Sequence, residues 1–222
     1  VMEYVVKIIA DVLAVLYQTA GASLLLAVLV MCVYMLGRKQ GTGPVVRAWI
    51  RNFRTSGWFR RHFFLTFYVG MMLFRTILCR SIWGNPLEHV LGIWGLSNDG
   101  KIYTENFENL ILFLPFIVLL LWAGEEKEHF KEKSIQDVLI LSFKVSFLFS
   151  LGIEFCQLFF KLGTFQLTDL FFNTAGGLLG GIWYWGFDRA RKKIEGAVRR
   201  AGGWDVTPWR SVNEEENSTG NY

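Results

Sequence analysis

Several stretches of this 222-residue chain are nearly unbroken apolar runs approaching 20 residues, the length a helix needs to cross a bilayer. No other feature narrows the fold as far. A soluble helix carries one apolar stripe, whereas a run that is apolar all round must be covered by lipid or by other runs like it. The composition agrees where it bears on this point. Hydrophobic residues make up 52%, charged residues only 19% against about 25% in an average soluble domain, and mean hydropathy is +0.32. A soluble globular domain and a disordered chain are both excluded. An all-α polytopic transmembrane bundle is expected.

The pattern predicts five spans: about Val12 to Leu36, His62 to about Trp83, Phe107 to Trp122, Gln136 to Phe160, and Leu167 to Phe187. The third is short for a crossing and contains Pro115. Charge in the loops sets the orientation. Between Gly37 and Arg61 lie seven basic residues (Arg38, Lys39, Arg47, Arg51, Arg54, Arg60, Arg61) and no acid. After the fifth span come Arg189, Arg191, Lys192, Lys193, Arg199 and Arg200. Both clusters belong on the cytoplasmic side, and they account for the net charge of +4 without a nucleic-acid partner. The loop from Gly84 to Asn106 sets Glu88, Asp99 and Glu105 against Lys101 and belongs outside. Five spans with the N-terminus out and the C-terminus in satisfy all of these assignments.

The resulting organisation is a first transmembrane helix (1–36), a basic cytoplasmic loop (37–61), a four-helix membrane core (62–187), and a tail (188–222) that turns from basic to acidic and ends disordered. The stretch Thr42 to Phe59 mixes Val45, Trp49, Ile50 and Phe53 with arginines. It reads equally as an interfacial amphipathic helix or as a plain basic linker. The N-terminus carries no secretory-signal pattern, so the first segment is expected to stay as a membrane helix. Cys32, Cys79 and Cys156 fall in apolar runs without metal-ligand spacing and read as packing residues.

Ionisable groups inside a span are costly and each needs an account. They are Arg75 in the second span, Glu108 and Asn109 opening the third, Lys144, Glu154 and Gln157 in the fourth, and Asp169 and Asn173 opening the fifth. The second span runs outward, which places Arg75 about 20 Å from its start at 1.5 Å per residue. With the spans alternating in direction, every group except Lys144 falls in the outer third of the membrane. Glu154 and Gln157 are three apart and Asp169 and Asn173 four apart, so each pair shares a helix face. The expected arrangement is inward-facing carboxylates near Arg75. A ligand pocket and simple interhelical hydrogen bonding both remain open for this layer. Ala175-Gly176-Gly177 and Gly180-Gly181 give small residues spaced by four, suited to close helix approach, and Gly152 suits the same role in the fourth span. No GxSxG, HExxH or Walker motif is present, so no catalytic residue, metal site or cofactor is expected.

Two segments together resemble the VanZ-like family of bacterial membrane proteins. The first, from Asn109 through Phe113 to Pro115, is similar to the family's Asn-x-x-x-Phe-x-Pro-x-Gly. The second, Glu154 to Gln157 followed by Phe165, Asp169, Asn173 and Gly176, is similar to Glu-x-x-Gln and then Arg-x-Phe-Asp-x-x-Asp-x-x-x-Asn-x-x-Gly. Three positions depart from the pattern: Ile117 and Gly163 replace a glycine and an arginine, and Gln166 replaces an acid. The resemblance implies a multi-pass protein of the bacterial plasma membrane linked to resistance against teicoplanin-type glycopeptides. Teicoplanin carries an acyl chain that docks in the outer leaflet, at the depth of the polar layer. Arg75, Asn109, Glu154, Gln157, Asp169 and Asn173 are the candidate ligand-binding residues, for a lipid head group, a lipid-linked cell-wall precursor or the lipoglycopeptide itself. Two alternatives stay open: an enzyme on a lipid-linked substrate with Glu154 and Asp169 as acid and base, and a membrane scaffold.

Overall fold

The computed structural model describes residues 2–37, 45–78, 85, 87–88, 90–92, 94, 97–98, 101–102, 104–125 and 134–200. Cys79, His89, Asp99, the segment 126–133 and the tail beyond residue 200 lie outside the described residues. The described chain is helical apart from loops and a two-residue antiparallel ladder, Ser97–Asn98 with Lys101–Ile102. The helices are α1 (Met2–Gly37), α2 (Val45–Thr55), α3 (Gly57–Leu73), α4 (Glu105–Gly124), α5 (Ile135–Phe160) and α6 (Leu167–Arg200). Among the described residues, three stretches are long and apolar enough to cross a membrane: Tyr17–Gly37, Glu105–Gly124 and Ile135–Phe160.

Local chemistry explains the boundaries. Ser56 separates α2 from α3 because its side chain accepts from the Phe59 N–H, capping α3 five residues before the expected start at His62. The basic stretch is therefore neither a plain linker nor one helix to Phe59: α2 ends at Thr55 and Gly57–Phe59 belong to α3. Glu105, counted with the outer loop from sequence, sits with Glu108 in the first turn of α4, where the helix dipole favours acids. That gives α4 20 residues rather than the shorter Phe107–Trp122, and it runs on through Pro115. Ser134 and Asp137 form a reciprocal capping box at the start of α5, and Lys161, at φ 55°, ends it in the left-handed conformation. Helix α6 continues past Phe187 to Arg200, so the start of the basic tail is helical.

Helix α6 packs along both α4 and α5, while α3 joins α1 to α4. The close seams are made by glycine. A Cβ built on Gly176 or Gly180 would run into the carbonyl oxygens of Leu110 or Leu114 on α4. On the neighbouring face, a Cβ on Gly177 or Gly181 would strike the hydroxyls of Ser146 or Ser142 on α5. Gly152 takes no part, since a Cβ there meets open space. The apolar core comprises Met72, Phe113, Phe116, Ile117, Leu121, Val138 and Ile153. Outward faces are also apolar, with Leu29 62%, Leu148 65% and Phe159 82% exposed. A bundle with serines and a glutamate inside and bare leucine and phenylalanine outside is built for lipid.

The bundle has two chemically different ends. At one, Glu125 at the foot of α4 receives Arg61 (3.4 Å), Arg191 (3.3 Å) and the Tyr184 hydroxyl (2.6 Å), joining α3, α4 and α6. Arg61 also stands 5.6 Å over the Trp122 ring and Arg189 4.4 Å over Trp185. At the other end lies the buried polar layer.

Candidate functional site

The layer begins as a stripe on α5. Ser142, Ser146, Ser150 and Glu154 recur every four residues and Gln157 follows three later, so all five share one face. That face turns inward: the three serines are fully buried and Glu154 and Gln157 are 1% exposed. Across the seam, α6 presents Asp169 and Asn173, both buried. The Asn173 amide donates to the Ser150 hydroxyl at 2.9 Å, fixing α6 against α5.

The turn between these helices closes over Glu154. Its carboxylate accepts from the Gln166 backbone N–H at 2.9 Å, and the Gln166 amide donates to the Thr164 hydroxyl at 2.7 Å. The α3–α4 loop adds a second tie, with the Leu167 N–H donating to the Val90 carbonyl at 2.8 Å. Gly92 is required beside it. Its φ of +67° suits glycine, and a Cβ would collide with the Thr168 hydroxyl. Trp94 then lies against Phe171 and Phe172, with ring centroids 5.4 and 6.4 Å away.

Helix α3 enters through Phe74–Leu78, five residues wound as a wider π-helix. Such a turn shifts the phase of the residues it carries and recurs at functional sites. It carries Arg75 and Thr76. The Thr76 carbonyl accepts from the Gln157 amide at 2.7 Å, tying α3 to α5. Arg75 pairs with Glu108 at 2.7 Å, and the Thr104 hydroxyl donates to the other oxygen of Glu108 at 2.6 Å. The Glu108 side chain is 12% exposed and the Arg75 side chain 40%, so the acid sits further inside than the arginine. Asn109 is half-buried in the turn that follows.

The candidate residues thus collect at one end of the bundle in two sets. Glu154, Gln157, Asp169 and Asn173 form a buried set on α5 and α6, while Arg75 and Asn109 sit at the α3–α4 edge. Glu154 and Asp169 are the acids expected near Arg75; the acid that pairs with Arg75 is Glu108. Lys144 is exposed on the outside of α5. Sequence reasoning missed Ser150, Thr76 and the Gln166 backbone, although the four-residue spacing of the serines was a visible signal. Two buried carbonyl oxygens, those of Gln157 and Asn173, have no hydrogen-bond partner among the described residues. Each is an acceptor in a low-dielectric setting, where a donor such as water, an amine or a hydroxyl gains most. Among the described residues no group of three or more His, Cys, Asp or Glu side chains is placed to hold a metal ion.

A family model described as VanZ/LLP1 matches residues 23–188. No curated protein and no solved structure matches the chain.

Proposed function

Because the chain belongs to the VanZ/LLP1 family, we propose that it acts at the outer face of the bacterial plasma membrane as a multi-pass protein that changes susceptibility to teicoplanin-type glycopeptides. In this reading five spans cross the bilayer with the N-terminus out and the C-terminus in. The polar end faces the outer leaflet and binds a head group there: that of a lipid, of a lipid-linked cell-wall precursor, or of the acyl-bearing antibiotic. The observation that carries the reading is the Arg75–Glu108 pair, whose glutamate side chain is only 12% exposed while the arginine side chain is 40% exposed. A cation so anchored is preorganised for a phosphate or carboxylate. Asn109 follows Glu108 on α4. The buried carbonyl oxygens of Gln157 and Asn173, which have no partner among the described residues, would accept from an amine or hydroxyl that enters the layer, and Glu154 and Asp169 hold the surrounding turn and helix in register.

The test is expression in a susceptible Gram-positive host, with inhibitory concentrations measured for teicoplanin and vancomycin. Arg75→Gln and Asp169→Asn run alongside at matched membrane level. A selective rise for teicoplanin that Arg75→Gln loses is the expected result. A rise that both variants keep would assign these residues to packing, and no rise in any strain would remove the resistance reading.

A further inference from the structure

The opposite end of the molecule carries a second surface with its own chemistry, on α2. Ring contacts from Trp49 and Phe53 and one charge hold this eleven-residue helix in place. Trp49 and Phe53 stack on each other at 5.2 Å and meet Phe63 edge-on at 5.6 and 5.3 Å. The Arg60 guanidinium donates to the carbonyls of Phe53 (3.2 Å) and Arg54 (2.7 Å), satisfying acceptors that a helix end leaves open. The helix is thereby a fixed shelf on the start of α3.

The rest of α2 points away from the bundle. Successive residues turn about 100° around a helix of 3.6 residues per turn, which sorts the side chains into three adjoining strips. Ala48, Trp49, Asn52 and Phe53 face α3 and are half-buried. Val46 (69% exposed) and Ile50 (43% exposed) form the next strip. Arg54, Arg47 and Arg51 follow, all exposed. Arg61, Arg75 and Arg191 each have a carboxylate partner. Arg47, Arg51 and Arg54 have none among the described residues, and the segment from 37 to 61 contains no acid.

We propose that α2 is a binding site for anionic phospholipid head groups in the leaflet at this end of the bundle. Val46 and Ile50 enter the acyl boundary, and Arg47, Arg51 and Arg54 grip the phosphates above it. The order of the strips is the one an interfacial helix needs, with hydrocarbon beside the protein and cations toward the head groups. A nucleic acid or acidic peptide would satisfy the arginines but leave Val46 and Ile50 in water. The inference does not depend on which ligand the polar end binds.

The full chain is reconstituted in vesicles of equal phosphatidylglycerol and phosphatidylcholine, extracted in mild detergent, and its retained lipids are measured by mass spectrometry. Phosphatidylglycerol is expected to be enriched several-fold. The R47Q/R51Q/R54Q variant, eluting as a single sharp peak, is expected to lose that enrichment, while R189Q/K192Q/K193Q keeps most of it. Retained enrichment in the α2 variant overturns the proposal. Should that variant fail to fold, salt decides with the native chain, because enrichment through head-group charge must fall between about 0.05 and about 0.5 M salt. Enrichment indifferent to salt overturns the proposal as well. So does a native dimer that Val46→Glu converts to a monomer, since a second copy would then cover the strip.

Discussion

Each end of the bundle joins α3 to α4 with an arginine–glutamate pair, and the two pairs are built for different surroundings. At the basic end, Glu125 gathers Arg61, Arg191 and the Tyr184 hydroxyl, with indole rings under neighbouring guanidinium groups. Burial disfavours the charge on Arg191, but Glu125, Asp188 and Glu195 outweigh it and hold its pKa above the ordinary arginine value. At the polar end, Glu108 has one cation among the described residues, and the groups behind it are amides, hydroxyls and two acids sealed between helices. The first end is a many-partnered ionic clasp next to water. The second places few charges where desolvation is severe and each must be matched by a specific donor. The difference teaches that equal-looking charges at the two ends have unequal consequences when removed.

The largest effect is expected where the polar end is stitched together. Gly176→Val forces a branched side chain into the Leu110 carbonyl, and overpacking of this kind costs about 3 kcal/mol or more. The variant should lose its sharp elution peak in mild detergent, whereas Gly186→Val, where a Cβ meets open space, should elute as the native chain does. Next comes Glu154→Ala. It leaves the Gln166 N–H without its acceptor and opens a cavity in a fully buried position, for about 3 kcal/mol in a denaturant titration of the micellar protein. Glu154→Gln keeps the acceptor oxygen and should recover most of that loss. If Glu154→Ala and Asp188→Asn shift the midpoint equally, the contrast between the ends is wrong. Ser150→Ala is smaller again. It removes the acceptor of the Asn173 amide, and interhelical hydrogen bonds of this type in membranes average about 0.6 kcal/mol.

Much of the polar end was legible because helical spacing is a property of sequence. Glu154 with Gln157, and Asp169 with Asn173, had to share faces, and the paired glycines had to bring helices close. The Arg75–Glu108 pair was not legible. It depends on the register of α3 against α4 across 33 residues, and on a π-helical turn that rotates Arg75 out of the phase a regular helix would give it. The grip of the Gln166 backbone on Glu154 was also hidden, since a main-chain donor leaves no trace in residue identity. The helical start of the tail, by contrast, was written in the charges. Asp188, Arg191, Lys192 and Glu195 stand at three- and four-residue spacings and pair along α6. Reading those residues only as a topological signal concealed the helix they support.

Those same pairs carry the smallest prediction and sharpen the comparison most finely. Asp188 accepts from Arg191 at 2.8 Å and Lys192 at 2.7 Å, with the arginine and lysine 42% and 50% exposed. Exposed pairs along a helix are worth about 0.3–0.5 kcal/mol each and are screened by salt. Asp188→Asn should therefore lower the unfolding midpoint slightly in dilute buffer and leave it unchanged near 1 M salt. Glu154→Ala should cost the same in both, because no counter-ion reaches a side chain buried between α5 and the turn above it. A salt-dependent Glu154 effect would mean that water already reaches the polar end in the resting protein. The buried set would then behave as an open vestibule, and its orphaned carbonyl oxygens would be hydrated before any ligand arrives.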